Sequence, residues 1–456
     1  GGFGSRFGTS GPSLDWGGML RFDTRVTADY DDPAESPVSS QPEFHLDLEY
    51  TNNNSEIVTN LEFRPEYLQG SEDAREFAEE LVDEAYLTLF YDDFNVQAGY
   101  LREVWGTGDQ VHVMDVLNSN DLRDFVNPDY AERRLSRPMF KLNVPVRVQG
   151  RFEAVYLPTF EGDLIPQGGA WAPAEVAELR ALIEEDRVAA AATAPGLTLG
   201  EAEVLESSVV RPETSTLEWG QYATRYRDTF GSVDLGVVYY HGFLKQPSVE
   251  YVTDTVPDTM AEHTLSERLD LHQGDRILFD YDRVNVFGLE YAAVIGGFNT
   301  RAEAAYYLTE DVDGDDPAVT NNSLQYLAGF DRDLPLSNLN INIQGTGTYY
   351  LGTDEIEENV EEQMVYDFQY DEDGEYTNHV VSAALTDSYA NETVKPEVAL
   401  SYGVENEDWY INPSIEFTLL DDVKLFTEVA VFHGDEGYFG QYDENDFAEV
   451  RLEYSY

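Results

Sequence analysis

The stretch between strands that is richest in reactive side chains runs from Trp105 to Pro138. It carries Trp105, Asp109, Asp115, Asn118, Asp121, Arg123, Arg133 and Arg134. A loop of that length can fold back into a wide bore. Fixed charges and amide groups on it would then sort passing solutes, so these eight residues are the candidate constriction. The plainer reading is a salt-bridge knot that pins the loop to its wall. Two acidic turns, Asp311-Val312-Asp313-Gly314-Asp315-Asp316 and Asp371-Glu372-Asp373-Gly374-Glu375, space oxygen ligands around a glycine as calcium loops do. Neither has the full EF-hand pattern with its distal Glu. Calcium at Asp311, Asp313, Asp315, Asp371 and Asp373 therefore stands beside the reading of two solvated turns, and no other cofactor is indicated. Catalysis has no foothold: the seven histidines are scattered without a motif, cysteine is absent, and no Gly-x-Ser-x-Gly elbow occurs.

The elements that must position such a loop are strands. From Phe447 to the C-terminus, Ala448, Val450, Leu452, Tyr454 and Tyr456 alternate with Glu449, Arg451, Glu453 and Ser455. A period of two puts these sets on opposite faces, one oily and one wet. A closing strand with Leu452, Tyr454 and Tyr456 on its oily face is similar to the C-terminal assembly signal of Gram-negative outer-membrane barrels. The same alternation recurs along the chain: Phe44, Leu46, Leu48 and Tyr50 against Glu43, His45, Asp47 and Glu49, then Ile411, Pro413, Ile415, Phe417 and Leu419 against Tyr410, Asn412, Ser414, Glu416 and Thr418. Between Leu339 and Leu351, Asn340, Asn342, Gln344, Thr346 and Thr348 form an unbroken polar row. Within Arg283–Ile295 the oily phase slips near Gly288, which predicts a glycine bulge. The count is about 18 strands, or about 16 if one pair is misread, and bacterial single-chain barrels need an even number.

Connections alternate long and short, with one exception near Glu405–Asp408. Placing both ends in the periplasm puts the long acidic loops outside and the tight turns inside. The longest interruption, 159–214, contains a helical pattern near 173–192, where Val176, Leu179, Leu182 and Ile183 recur at helical spacing. It is expected to pack on the rim; the functional alternative is a lid or partial plug.

Composition agrees. The 456 residues include 30 Tyr and 24 Phe, as girdles at two membrane interfaces require. No run of apolar residues reaches the length of a membrane-crossing helix. Gly1-Gly2-Phe3-Gly4 lacks the features of a signal peptide, so the chain reads as a mature one. The formal charge is −62, from 89 acids against 27 bases. Phosphate backbones would be repelled, which excludes nucleic acid. A saline habitat, divalent cations or a basic partner would each suit that surface.

Several landmarks in chain order resemble a family of Gram-negative outer-membrane barrels of unknown function. They are Trp105-Gly106-Thr107-Gly108-Asp109, Val116-Leu117-Asn118 with Asp121-Leu122-Arg123-Asp124-Phe125, Arg133-Arg134 before Pro138, Leu157-Pro158-Thr159-Phe160, Tyr239-Tyr240-His241-Gly242, Arg301-Ala302-Glu303-Ala304-Ala305-Tyr306 and Phe432-His433-Gly434. Members of that family are often encoded beside RND-type exporters of hydrophobic compounds. The resemblance implies passage or export-linked transfer of lipid-like small molecules. The chain departs from the family in its acidity and in the helical insertion.

Together these features predict an all-β protein, one transmembrane antiparallel β-barrel over 1–456 in the bacterial outer membrane. The loop at 105–138 would fold into its lumen. Transfer of hydrophobic molecules is the leading function. The alternatives are a general porin-like diffusion channel and a non-transporting scaffold that docks a partner protein. Expected partners are the lipid bilayer with its lipopolysaccharide, the barrel assembly machinery, and a periplasmic or surface protein.

Overall fold

A computed structural model of the chain describes residues 11–28, 38–65, 77, 80–109, 111–123, 133–166, 169–173, 209–252, 276–316, 319–353 and 376–456. Its architecture follows from the period-two alternation. The strands of the first half are β1 (Ser13–Thr27), β2 (Val38–Thr51), β3 (Ser55–Phe63), β4 (Val82–Phe90), β5 (Asn95–Leu101), β6 (Arg137–Val146), β7 (Gly150–Leu157) and β8 (Val209–Val210). Next come β9 (Gln221–Phe230), β10 (Val233–Phe243), β11 (Ser248–Val252), β12 (Arg276–Asp280), β13 (Arg283–Ile295) and β14 (Phe298–Thr309). The chain closes with β15 (Ser323–Asp333), β16 (Asn340–Tyr350), β17 (Thr377–Thr386), β18 (Val394–Gly403), β19 (Trp409–Leu420), β20 (Val423–His433) and β21 (Phe447–Ser455).

All of these except β8, β11 and β12 form one 18-stranded antiparallel sheet. It closes where Met19–Thr27 of β1 pairs with Ser455–Phe447 of β21. Closure leaves no strand edge, so every ladder amide has a partner within the sheet. The β1–β21 seam is reinforced by the terminal residue: the amides of Gly18 and Tyr456 each donate to the other's carbonyl, and the Tyr456 hydroxyl donates to the His45 carbonyl at 3.2 Å. Leu452, Tyr454 and Tyr456 face outward there, with Trp16 and Phe44 ringed around Tyr456.

The oily rows of the other strands also point away from the barrel. Trp16, Leu20, Phe22, Ile57, Phe140, Val237, Leu289 and Val450 are all exposed large apolar side chains, as a belt in contact with hydrocarbon would be. The tight turns at 52–54, 91–94, 147–149, 231–232, 296–297 and 421–422 lie at one end, together with the start of β1 and the end of β21. The long connections lie at the other end, where 404–408 is the short exception.

Two features were not expected. Strands β8, β11 and β12 make a separate three-stranded sheet among the long connections, with β12 parallel to β8. The expected bulge at Gly288 is absent, since β13 pairs with β10 and β14 in unbroken register. Val284 and Val286 instead point into the barrel, where they are fully buried. The phase slip in the sequence marks a strand that is apolar on both faces. The predicted helix at 173–192 lies outside the described residues apart from Pro173.

Candidate functional site

The segment after β5 turns into the barrel and runs along its inner wall. Trp105, almost fully buried, lies under the Arg225 guanidinium, 5.5 Å from its ring centre. Gly106 has φ +130, a conformation that a side chain disfavours, and the bend there turns the following amides onto one carboxylate. Glu303 of β14 accepts from the amides of Thr107, Gly108 and Val113, the last two at 2.9 Å, and from the Thr107 hydroxyl at 3.3 Å. Further along, Asp109 pairs with Arg301 and accepts from the Asn342 amide, while its own N–H donates to Gln344 at 3.2 Å. The polar row of β16 therefore serves in part to hold the loop. The loop thus reaches from β5 to β16 inside the sheet.

Its apolar residues fill the space between loop and wall. Val113, Met114, Val116 and Leu117 pack with Leu101, Met139, Val155, Val238, Tyr240, Val284, Val286 and Leu327. Met114 is completely buried and occupies the place where Gly288 has no side chain; a Cβ there would overlap its sulfur. Burying a side chain of this kind contributes about 1.5–3 kcal/mol, so the loop is held by a core as well as by hydrogen bonds.

The returning limb is polar and buried. Asp115 pairs with Arg134 at 2.5 Å. Asn118, wholly buried, donates to the carbonyls of Leu101 at 3.0 Å and Leu135 at 2.6 Å and accepts from the Glu103 amide at 2.8 Å. Lys245, just beyond β10, donates its ammonium to the carbonyls of Asp115, at 2.8 Å, and Asn118. Burial pulls the Lys245 pKa from 10.5 down to about 8, against the attraction of Asp115 and Asp163. Asp121 binds Arg123 at 2.7 Å, and Arg123 also reaches Glu80 at 2.8 Å. Burial opposes the Arg123 charge, but the bonds from Asp121 and Glu80 outweigh it and raise its pKa. The expected cluster of Asp121, Arg123, Arg133 and Arg134 is thus divided: Arg134 faces Asp115, Arg123 faces Asp121 and Glu80, and the Arg133 carbonyl accepts from the Asp121 amide.

A second segment, described over 158–166 and 169–173, lies over the first. Leu122 and Leu164 are tied by backbone bonds, Leu122 N to Leu164 O and Leu164 N to Asn120 O, each 2.9 Å. Asp163 accepts from the Asn120 amide at 2.7 Å. The segment then reaches the far rim, where Trp171 meets Tyr442 at 5.5 Å, Phe432 at 5.8 Å and the Arg25 guanidinium at 6.0 Å.

The wall facing the loop is different. On β20, β21, β1, β2 and β3 the inward rows form a ladder of opposite charges. Arg21 bonds Glu43 at 3.2 Å and Glu453 at 3.1 Å; Arg25 bonds Glu449 at 2.8 Å. Arg451 bonds Asp23 at 2.9 Å and Glu449 at 3.1 Å. Glu43, His45 and Glu62 bring three ligand atoms within 4.8 Å of one another, the one such group among the described residues. Arg64 contacts both carboxylates and Arg21 contacts Glu43, so their charge is already balanced. The group belongs to the ladder.

The first acidic turn is occupied by its own backbone. Asp311 accepts from the amides of Gly314 and Asp316, each at 2.9 Å. Asp313 and Asp315 do not join it in a three-ligand group. Asp371 and Asp373 lie outside the described residues. Sequence reasoning did not single out Lys245, took Glu303 only as part of a landmark, and took Gly288 for a bulge rather than for the space that Met114 fills.

A closed 18-stranded antiparallel sheet with an exposed apolar belt is a transmembrane β-barrel of the outer-membrane type, here with a loop folded into its lumen. No family model matches the chain, and no curated protein does. Among solved structures it is similar to OccAB4 of Acinetobacter baumannii, at 12% identity and TM-score 0.49 over 98% of each chain. It is also similar to OpdQ of Pseudomonas aeruginosa, at 11% identity and TM-score 0.47 over 98% of this chain and 97% of that one. A mutant porin of Rh. blastica matches at 10% identity and TM-score 0.40, over 97% of this chain and 100% of that one. These likenesses concern the fold alone.

Proposed function

We propose that the barrel is a diffusion channel for small hydrophilic solutes, narrowed by the loop at 102–136. One observation carries this reading. The cluster of apolar side chains that face inward on β7, β10, β13 and β15 is covered by the loop, while the opposite wall is a ladder of charged groups. Hydrophobic cargo would need an apolar path, and that cluster is already occupied. Trp105, Asp109, Asp115, Asn118, Asp121, Arg123, Arg133 and Arg134 then act by shaping and holding the constriction. Asp109, with Arg301 and Asn342, is the part nearest the polar wall of β16. The apolar belt suits lipid, the terminal strand suits the barrel assembly machinery, and the long acidic connections meet the anionic lipopolysaccharide surface through bridging divalent cations.

Reconstitution into planar bilayers tests the reading. Discrete ion-conducting steps are expected, with liposome swelling in small polar solutes. Folded barrel that inserts but neither conducts nor swells liposomes would overturn it.

A further inference from the structure

Near the tight-turn end of the lumen, the inward faces of β3–β7 enclose an open cleft of about 270 Å³, roofed by Glu103 from the start of the inserted loop. That is just below the roughly 300–1,000 Å³ of pockets for drug-sized ligands. Its centre is made of amides. The Asn143 amide donates to Asn95 at 2.8 Å and to Gln97 at 3.2 Å, and Gln97 donates to Thr88 at 3.3 Å. The Asn143 carbonyl oxygen is buried and has no hydrogen-bond partner. On one side stands Phe90, exposed although it lies on the inward face, two residues beyond Thr88. The charges of the lining cancel: Glu56 and Glu103 against Lys141 and Arg151. Lys141 is held by Glu103 at 2.5 Å and Glu153 at 3.4 Å, and Arg151 is 3.9 Å from Glu153.

We infer that this cleft is a resting site for a neutral, polyhydroxylated solute of monosaccharide size on its way through the lumen. The inference rests on the channel reading above and deepens it. Hydroxyl groups both donate and accept, which matches amides that do the same. An exposed ring offers an apolar platform for the C–H face of a sugar. Cations paired with carboxylates, and zero net charge, give no advantage to an ionic solute. The pairing sets this wall apart from a site for carboxylates, which would present cations without partners.

Two measurements on the full chain in detergent and in bilayers decide it, with D-glucose as probe. Saturation-transfer NMR should show transfer to glucose, reduced at least tenfold by Phe90→Ala and by Asn143→Leu. In single-channel recordings glucose should interrupt the ion current saturably, with a half-blocking concentration at least tenfold higher in Phe90→Ala. A channel that conducts ions, yet shows neither transfer nor block, overturns the site and leaves the channel reading intact. Transfer that survives both substitutions places the sugar elsewhere and overturns the site. Stronger binding of succinate or glycine betaine than of glucose overturns the neutral class. Loss of ion current alone counts against the channel reading, and the NMR experiment still decides the cleft.

Discussion

The two halves of the inner wall are built from the same alternation and differ in what covers them. On β7, β10, β13 and β15 the inward rows carry Val155, Val238, Tyr240, Val284, Val286 and Leu327, buried with the loop, and set among them Glu153 and Glu290 beside Arg225 of β9. On β21, β1 and β2 it reads Glu449, Arg451, Glu453, Asp23, Arg21, Arg25 and Glu43, paired across the strands. Strand geometry only assigns a residue to a face. What covers that face decides whether it is apolar or charged. A loop folded inside a barrel gives the barrel a second, inward core, and on the channel reading proposed above the side without the loop is the path for water. The contrast predicts that one half can be opened by releasing the loop, and that the other half tunes which ions pass.

The largest effect should come from Glu303→Ala. The change leaves the half-buried amides of Thr107 and Gly108 and the buried amide of Val113 without their acceptor. Each donor left unpaired costs about 1–3 kcal/mol, enough together to offset much of the packing that holds this limb. The loop should detach while the barrel stays folded. Single-channel conductance should rise severalfold, and the 102–136 segment should become cleavable by protease. Unchanged conductance in a folded variant would mean that the loop does not narrow the path.

Gly288→Val comes next. A side chain there collides with Met114, and overpacking of this kind costs about 1–3 kcal/mol. Denaturant unfolding in detergent should show the loss. Adding Met114→Ala should recover part of it, because the cavity left by the shortened side chain accepts the new methyls. Two losses that simply add would deny that the residues share one space.

These two predictions also mark what could be read from the chain. Strand number and the long–short rhythm follow from local pattern, which is strong wherever one face is oily and the other polar. The pattern weakens where both faces are apolar. Val284 and Val286 looked like a shifted lipid face because period-two reasoning has no term for a loop inside the sheet. Lys245 was invisible for another reason: its partners are the carbonyls of Asp115 and Asn118, and backbone acceptors leave no trace in sequence. The sheet of β8, β11 and β12 joins segments far apart in the chain, which short-range signals cannot pair. In the Trp105–Pro138 stretch the residue types were informative: Asp115 pairs with Arg134 and Asp121 with Arg123 inside it, whereas the partners of Asp109 sit on β14 and β16, which local pattern cannot reach.

On the wet half, Arg451→Gln should act on selectivity first. It frees Asp23 and part of Glu449 from a shared cation, so the lumen gains negative charge. The reversal potential in a salt gradient should move toward cations. Stability should fall by only about 1–2 kcal/mol, between the values for exposed and buried pairs. A shift toward anions, or none, would place this ladder off the conducting path.

The smallest effect should be the pH response of the clamp made by Lys245. Its ammonium is buried against the carbonyls of Asp115 and Asn118, with Asp115 and Asp163 favouring the charge and Arg134 and Arg137 opposing it. Burial dominates, so the folded-state pKa lies at about 8 against 10.5 in the unfolded chain. Between those two values the unfolded chain binds more protons than the folded one. Stability therefore rises with pH across this window, by at most about 1.4 kcal/mol per pH unit. The direction is opposite to that of a lysine stabilised by a salt bridge, and it follows from desolvation outweighing attraction. A neutral amine still donates to both carbonyls, so deprotonation removes the penalty without opening the clamp. Lys245→Met should abolish the slope that remains after other titrations are subtracted from the wild-type curve. If the difference between the two proteins instead shows stability falling from pH 8 to 10, the ammonium is the favoured form and the clamp is an ion pair.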